Sequence, residues 1–410
     1  MSLMTRDERQ KLGCQRWIKA GGKATLCWGT GVGKTNASVM IINALHKRNS
    51  QLKVLVIVPT DTLKEQWQRT LAKNHLLPIC KVEIINTVLN NTYNVDLLVL
   101  DEAHRYGGEH SINLFQLVRY RYVLGLTATF ERLDGRHELL TPYIPICDVI
   151  TLQDALKNGW ISNYRKYKVL IKVDMTQYQE YNIKFQQIFS FFGHDFKLVM
   201  ELINSKNKVK VWAKRNGKEE GVVRGYLTQF MRYLKLRKSF VMSHPKKFEL
   251  ANKILDYRND KKCILFTATV KDAESFKSRA LVLHSKKKKK ENKAILEHFN
   301  QLTIGNIVSP KALNEGVDVK GLSIGIALTC NSSQITDTQQ VGRICRFEEG
   351  KIAEFFTLVI AGSVEEQWYS NANKNQSYIT INEDQLDIIL NGGEVSTRHK
   401  QGIVDLENRF

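Results

Sequence analysis

The stretch Trp28-Gly29-Thr30-Gly31-Val32-Gly33-Lys34-Thr35 lies between two apolar segments of different period. Residues 24–28 have the composition of a buried strand, and apolar residues recur with a helical period over residues 37–45. A glycine-rich turn between a strand and a helix predicts a phosphate-binding loop. The glycines let backbone N–H groups approach phosphate oxygens, and the start of the helix attracts anions.

The residues of this loop have separate expected roles. Lys34 is predicted to reach the β- and γ-phosphates of a nucleoside triphosphate, and the Thr35 hydroxyl to hold Mg²⁺. The backbone around the phosphates is expected to come from four residues: Gly29, Thr30, Gly31 and Gly33. Trp28 stands where the strict motif has a further glycine. The remaining pattern is intact, so the prediction of ATP binding stands.

A second motif, Asp101-Glu102-Ala103-His104, follows the apolar run at residues 95–100. Such a run is typical of a strand buried in a parallel sheet, and ligands bind at the carboxyl ends of these strands. Asp101 is therefore predicted to hold Mg²⁺, and Glu102 to orient and deprotonate the attacking water. Together the two motifs predict ATP hydrolysis.

The composition indicates a basic protein with a polyanionic partner. The chain has 410 residues and a formal net charge of +20. Its seven cysteines form no Cys-x-x-Cys pair, and neither a signal sequence nor a long apolar segment is present. These features favour a cytoplasmic location (host cytoplasm if the protein is viral) and no membrane partner. The lysines at 286–290 are either a solvated loop or part of a nucleic-acid track.

Strand and helix patterns alternate in two regions, which predicts an α/β fold with two lobes. We expect a first lobe over residues 1–165 and a second over residues 241–362. Residues 166–240 lack the alternation and are predicted to form a mostly helical insert, and residues 363–410 a tail. The insert is rich in aromatic and basic residues. These could grip nucleic acid, or the aromatic residues could simply form a core.

Seven motifs after the phosphate-binding loop, together with Gln15 before it, resemble in order those of superfamily 2 helicases and translocases of the DExH type. The similarity is greatest to the XPB-like, type III restriction and phage branch-migration enzymes. It covers nearly all of residues 10–362, and the matching segments are Gln15, Val58–Thr60 with Gln66-Trp67, Ile85–Thr87, Asp101–His104, Thr127–Thr129, Leu265–Thr269, Ser309–Asp318 and Gln339–Arg346.

This resemblance implies two tandem RecA-like lobes, each a parallel sheet flanked by helices, with ATP and Mg²⁺ in the cleft between them. By resemblance Arg343 and Arg346 are arginine fingers, and Gln339 lies with them at the catalytic centre. It also implies that Gln15 reads the adenine and that Gly316 and Asp318 contact the nucleotide. His104, Thr127 and Thr129 would couple hydrolysis to movement.

The resemblance places a nucleic-acid track across both lobes. Hydroxyl and lysine side chains suit phosphate contacts, which position a strand without reading its sequence. The candidates are Thr60, Gln66, Thr87, Thr267, Ser285, Lys286 and Lys311. Binding is therefore expected to be independent of sequence and sensitive to salt.

These observations favour a monomeric, ATP-driven DNA helicase or translocase that remodels branched or duplex DNA. Branch migration and fork or R-loop processing, in replication, recombination or repair, are the expected tasks. Three alternatives stay open: an RNA helicase or RNP remodeller, the motor subunit of a restriction or defence complex, and an ATP-gated clamp without enzyme activity. Intact Lys34, Glu102 and Arg343 argue against the clamp.

Overall fold

The computed structural model describes residues 4–130, 135–310, 319–330, 333–374 and 376–395. Lys311, Gly316 and Asp318 lie outside these residues. The described chain forms two parallel sheets flanked by helices. The strands are β1 Lys23–Trp28, β2 Val54–Val58, β3 Cys80–Ile84, β4 Tyr93–Asp101, β5 Val118–Thr127, β6 Ile146–Ile150, β7 Asn163–Ile171, β8 Lys262–Phe266, β9 Leu281–Val282, β10 Gly305–Ser309, β11 Leu322–Ala327, β12 Ile352–Ile360 and β13 Ile379–Ile381.

The helices cover both faces of these sheets and build the segment between them. They are α1 Arg6–Lys19, α2 Lys34–His46, α3 Asp61–Lys73, α4 Ile85–Val88, α5 Leu114–Leu117, α6 Leu152–Lys157, α7 Thr176–Ser190, α8 Phe196–Asn204, α9 Lys206–Arg215, α10 Glu220–Met242, α11 Pro245–Tyr257, α12 Val270–Glu274, α13 Lys289–Gln301, α14 Gln334–Ile344, α15 Val364–Ala372 and α16 Glu383–Leu390. Over the described part of the chain, no helix has the length and apolar character that crossing a membrane requires.

The first sheet has six strands in the order β3-β2-β4-β5-β1-β6. All five residues of β2 are buried, as expected for a parallel strand covered on both sides. The strands β1, β4 and β5 are neighbours in the middle of this sheet and run in the same direction. Their carboxyl ends therefore bring the glycine-rich loop, Asp101 and Thr127 to one edge.

The second sheet has seven strands in the order β13-β7-β12-β11-β8-β10-β9, and it begins earlier in the chain than expected. β7 pairs with β12 along its whole length, from Asn163 opposite Ile352 to Ile171 opposite Ile360. The boundary expected at residue 165 was therefore wrong, because it falls inside this strand. Lys166 and Lys168 obscured the strand in the sequence; both are buried and paired with acidic residues.

The segment after residue 362, expected to be a tail, also belongs in part to the second lobe. β13 pairs with β7, and Leu386, Ile389 and Leu390 of α16 join the hydrophobic core of the second lobe. The domain boundary at residue 362 is corrected accordingly. Apolar residues on one face of a short helix are enough to dock it on a sheet.

The insert is helical, as the sequence predicted, and comprises α7 to α10. It has a hydrophobic core of its own, in which Phe185, Phe192 and Phe230 are buried. Phe191 stacks on Tyr226 with ring centroids 4.0 Å apart. Many aromatic residues of the insert therefore form its core, while Lys235 and Lys238 remain exposed on α10.

Candidate active site

The glycine-rich loop between β1 and α2 takes a conformation that requires glycine. Gly31 and Gly33 have φ angles of 87° and 103°, which side chains other than glycine rarely adopt. A Cβ atom at Gly33 would also lie 2.2 Å from Nε2 of Gln10. The backbone can therefore curl tightly in front of α2, which begins at Lys34.

Trp28 anchors the start of this loop. Its side chain is fully buried under α1, where a Cβ on Gly13 would lie 2.1 Å from the indole ring. The indole N–H donates to Oδ2 of Asp148 at 2.8 Å, and the Trp28 carbonyl accepts from Nζ of Lys34 at 2.9 Å. The departure from the strict motif thus fixes the loop by packing, without displacing the lysine.

Asp148 holds this corner of the first lobe together. Its side chain is fully buried and accepts from Arg9 at 2.7 Å and from Arg16. Burial alone would raise the pKa of the Asp148 carboxyl, but Arg9, Arg16 and the Trp28 indole outweigh it and lower the pKa. The carboxylate is therefore ionised and ties α1 and β1 to β6.

The glutamine next to the loop is Gln10, not Gln15. Gln10 is fully buried, donates to the Val32 carbonyl at 2.7 Å and accepts from Asn36 at 2.9 Å. Gln15 is exposed. The reason is the helical period, because the buried residues of α1 are Gln10, Gly13 and Trp17, and Gln15 lies on another face. The contact of Gln15 with the nucleotide stays a prediction, and Gln10 is the glutamine of α1 that the structure places against the loop.

Asp101, at the end of β4, is 7% exposed and fixed by an indole. Its Oδ2 accepts from Nε1 of Trp67 at 2.7 Å, and its Oδ1 accepts from the backbone N–H of Glu102 at 3.1 Å. Trp67 belongs to α3, which packs beside β2. The sequence analysis gave Trp67 no role beyond membership of its motif.

Glu102 is a non-glycine residue in the left-handed region, with φ of 52°. Such strain is typical of functional sites, where the surrounding structure enforces it. Oε2 of Glu102 lies 3.5 Å from Nδ1 of His104. The same nitrogen is 2.9 Å from Oγ1 of Thr127, which donates to the Thr129 carbonyl at 2.5 Å. With the Thr127 hydroxyl donating to Thr129, the His104 tautomer that fits this contact is the one protonated at Nδ1.

These residues suit a magnesium nucleoside triphosphate. Oxygen ligands are those that Mg²⁺ prefers, and the Thr35 hydroxyl and Asp101 carboxylate are of this type. The Lys34 ammonium supplies positive charge, and the curled backbone at Gly31 and Gly33 leaves no room for side chains. This edge of the first sheet can therefore hold phosphates and orient a water molecule beside Glu102.

The second lobe meets the loop through α14. A Cβ on Gly342 would lie 2.3 Å from Cβ of Thr30, so the Thr30 side chain packs directly against the backbone of Gly342. The next residue, Arg343, is 9% exposed. Arg346 is half-buried, and burial lowers the pKa of its guanidinium. The structure thus brings the helix that carries Arg343 against the phosphate-binding loop.

The two lobes are joined beside this contact by the segment that leads into β7. The Ser162 N–H donates to the Cys345 carbonyl at 3.0 Å, and the Ser162 hydroxyl donates to the Arg346 carbonyl at 2.9 Å. Trp160 and Ile161 belong to one hydrophobic cluster with residues of both sheets. The end of α14 is therefore hydrogen-bonded to the segment that joins the two lobes, just before β7 begins.

A buried lysine holds α14 from the other side. Nζ of Lys166 donates to Asp337 on α14, to Asn373, and to Oε1 of Gln376 at 2.8 Å. Burial lowers the pKa of Lys166, and Asp337 opposes this shift. This network links α14, which carries Arg343, to the segment that follows α15.

A cleft of about 690 Å³ opens where both lobes and the insert meet. Two of the residues predicted to contact nucleic acid, Thr60 and Thr267, line it from different lobes, and Gln339 lines it as well. Three basic residues of its wall are Arg105, Lys235 and Lys238. Lys235 and Lys238 belong to the basic and aromatic insert that the sequence offered as a possible grip on nucleic acid, whereas Arg105 was missed.

Four more residues predicted for the track fall in the described part of the chain, and they lie outside the lining of this cleft. Ser285 and Lys286 are exposed between β9 and α13, and Thr87 is half-buried on α4. Gln66 is half-buried, and its Oε1 atom is buried without a hydrogen-bond partner. In the lysine run, Lys289 pairs with Asp61 of the first lobe, which places this run across the opening between the lobes.

Comparison with known proteins identifies two matching families and a similar DNA translocase. Residues 4–90 match the family described as type III restriction enzyme, res subunit, and residues 246–348 match the helicase conserved C-terminal domain. The DNA 3'-5' translocase XPB2 of Sulfurisphaera tokodaii is 24% identical over 369 residues, which are 85% of this chain and 80% of that protein.

Two further similarities concern RNA. A protein of African swine fever virus named as the ATP-dependent RNA helicase QP509L is 30% identical over 148 residues, which are 30% of this chain and 28% of the viral protein. The structure of S. cerevisiae Dbp5 bound to RNA and ADP BeF3 has a TM-score of 0.59, with 12% identity, and the alignment covers 93% of this chain and 91% of Dbp5. The similarity to Dbp5 shows a common fold and nothing more.

The two sheets and the edge where Lys34, Asp101 and Glu102 meet are those of an enzyme with tandem RecA-like helicase lobes. The two family matches and the similarity to XPB2 support an assignment to the superfamily 2 helicases and translocases, in the group of the XPB-like and type III restriction enzymes. The chain is an ATP-dependent helicase or translocase.

Proposed function

We propose that this enzyme is a DNA translocase that remodels branched or duplex DNA. The observation that carries the proposal is the contact between Gly342 and Thr30. It places α14 of the second lobe, which carries Arg343, against the phosphate-binding loop of the first lobe. Hydrolysis that needs both lobes depends on their closure, and closure can move a strand held by both lobes.

At the nucleotide site, each polar group has one proposed task. Lys34 binds the phosphates, and Thr35 with Asp101 holds Mg²⁺, which when bound neutralises charge on the phosphate oxygens. Glu102 accepts the proton of the attacking water, and its strained backbone aims the carboxylate. Arg343 and Arg346 stabilise the charge that develops in the transition state, and Gln339 acts beside them.

The residues behind Glu102 are proposed to couple hydrolysis to movement. His104 lies within reach of both the Glu102 carboxylate and the Thr127 hydroxyl. Thr127, the last residue of β5, in turn donates to the carbonyl of Thr129. A shift of this strand end would therefore reach the carboxylate through two short polar contacts.

The cleft between the two lobes and the insert is the proposed nucleic-acid track. Thr60 and Thr267 can bind phosphate oxygens by their hydroxyls, and Arg105, Lys235 and Lys238 add positive charge. Ser285 and Lys286 are proposed to extend the track along the second lobe. None of these contacts requires a particular base, so the enzyme would move along any sequence.

DNA is favoured over RNA by the extent of the similarities. The relative that aligns with 85% of this chain is named as a DNA translocase, whereas the viral relative named as an RNA helicase aligns with 30%. Branch migration forms one base pair for each that it breaks, whereas melting costs about 1.4 kcal/mol per step. A motor built from two lobes and a small insert could therefore remodel branches.

The test is a panel of ATP hydrolysis and strand-exchange assays with single strands, duplexes, forks, four-way junctions and RNA. We expect DNA to raise the rate strongly, and a four-way junction to be converted into its duplex products. Binding should weaken steeply between roughly 50 and 200 mM salt. Stimulation by RNA alone would overturn the choice of DNA.

A matched pair of double variants tests the track. Lys235→Ala with Lys238→Ala should weaken DNA binding and lower the slope of log affinity against log salt by up to about 2, because each phosphate contact contributes about 0.9. Lys206→Ala with Lys210→Ala removes the same charge from exposed positions on α9 and should leave the slope unchanged. Equal slopes in both variants would contradict the placement of the track.

A further inference from the structure

A single buried indole connects the nucleic-acid cleft with the carboxylate at the nucleotide site. Nε1 of Trp67 donates to Oδ2 of Asp101 at 2.7 Å, and the tryptophan is 1% exposed. Hydrogen bonds to a charged acceptor are stronger than those between neutral groups, and a rigid ring fixes the direction of the bond. The carboxylate thus has one oxygen held by a side chain that cannot rotate away.

The helix of Trp67 begins in the cleft. Thr60, which lines the cleft, caps α3 by accepting from the Leu63 N–H at 3.3 Å. The next residue, Asp61, pairs with Lys289 of the second lobe. A strand bound at Thr60, or a change in the distance between the lobes, therefore acts on the first turn of the helix that holds Asp101.

We propose that Trp67 is the positioning residue for Asp101, and that α3 transmits the state of the nucleic-acid cleft to the magnesium site. Trp67 touches neither the nucleotide nor Mg²⁺ in this account. It fixes the orientation of a ligand, and loss of such an outer partner typically lowers metal affinity 10- to 100-fold. The inference rests on the proposed role of Asp101 in holding Mg²⁺.

The test replaces Trp67 by Phe, which keeps an aromatic ring and removes the N–H donor. The readout is binding of fluorescent ADP by anisotropy, with Mg²⁺ at increasing concentrations and with EDTA, so that no turnover is needed. In Trp67→Phe the Mg²⁺ concentration for half-maximal nucleotide affinity should rise roughly tenfold. Nucleotide affinity in EDTA should equal that of the wild type.

Trp17→Phe is the matched control. The Trp17 indole is also buried in the first lobe and donates to a backbone carbonyl, that of Val123, at 3.1 Å. This variant loses a comparable hydrogen bond away from Asp101, so its stability should fall while its Mg²⁺ dependence stays that of the wild type. Equal Mg²⁺ dependence in Trp67→Phe and the wild type would overturn the positioning role.

The coupling through α3 has its own readout. In the wild type, DNA is expected to lower the Mg²⁺ concentration for half-maximal nucleotide affinity, and in Trp67→Phe this effect should be lost. If Trp67→Phe responds to DNA as the wild type does, transmission through α3 is wrong even where positioning holds. A wild-type protein without Mg²⁺-dependent nucleotide binding would instead refute the proposed function itself.

Discussion

Charged groups are held differently at the candidate nucleotide site of the first lobe and in the core of the second lobe. At the nucleotide site, Lys34 donates to a carbonyl, and Asp101 accepts from an indole. In the second lobe, buried lysines pair directly with carboxylates, as in Lys247 with Glu365 and Lys166 with Asp337. Such ion pairs fix helices in the second lobe, as Asp148 with Arg9 does in the first, whereas the charges at the nucleotide site are placed to bind a ligand.

This contrast indicates which substitutions should affect activity and which should affect stability. A charged group whose hydrogen-bond partner is neutral can bind a phosphate or a cation without an ion pair having to break. A buried ion pair gains little over apolar packing, but removing one partner leaves a charge without compensation. Changes at the strand ends of the first lobe are therefore expected to reduce turnover, and changes in the buried pairs to reduce stability.

The largest expected effect is that of Arg343→Ala, which should lower the ATP hydrolysis rate by about 10³-fold or more, as loss of an arginine finger does. Arg343→Lys should not restore the rate, because an ammonium cannot donate as a fork. The measurement is steady-state hydrolysis with saturating DNA.

Arg258→Ala is the control for Arg343→Ala. Arg258 is another arginine of the second lobe, paired with Glu354 at 2.6 Å and not contacting the phosphate-binding loop. Its loss should lower the unfolding temperature and leave the turnover of the folded protein intact. Arg343→Ala hydrolysing ATP at the wild-type rate would remove the second lobe from catalysis.

A smaller effect, on stability, is expected from Lys247→Met. Both side chains of the Lys247–Glu365 pair are fully buried, and Nζ lies 2.7 Å from each carboxylate oxygen. Removing one partner of such a pair typically costs about 3–5 kcal/mol in the free energy of unfolding. Unfolding in urea, followed by circular dichroism, measures the loss.

The double variant Lys247→Met with Glu365→Gln sharpens this prediction. It removes the uncompensated carboxylate and keeps an acceptor for the Ile360 N–H, which donates to Glu365 at 3.1 Å. Much of the lost stability should return. If Lys247→Met unfolds at the same urea concentration as the wild type, the buried pair does not stabilise the second lobe.

The sequence predicted the parts of the fold in which local patterns and burial agree. The phosphate-binding loop, the end of β4 and the helical insert were recognisable because glycines, apolar runs and polar ends follow one another there. β7 was assigned to the insert and not to the second lobe because Lys166 and Lys168 interrupt its apolar pattern, and their partners lie about 170 to 200 positions away in the chain. Long-range pairing of that kind leaves no local signal.

The site was predictable to a similar degree. Lys34, Asp101 and Glu102 could be named from motif context, but the choice between Gln10 and Gln15 depends on which face of α1 packs on the loop. The hydrogen bond from Trp67 to Asp101 joins two motifs that are 34 positions apart, so neither motif alone reveals it. Lys235 and Lys238 gain their place only when α10 reaches the cleft.

The central claim is that closure of two lobes on ATP moves the protein along DNA. The most direct measurement is displacement of a third strand from a triplex on duplex DNA, with ATP hydrolysis followed in the same sample. We expect the wild type to displace the strand with ATP, and Lys34→Ala, still folded, neither to hydrolyse ATP nor to displace it. DNA-stimulated hydrolysis by the wild type without any displacement would refute movement along DNA.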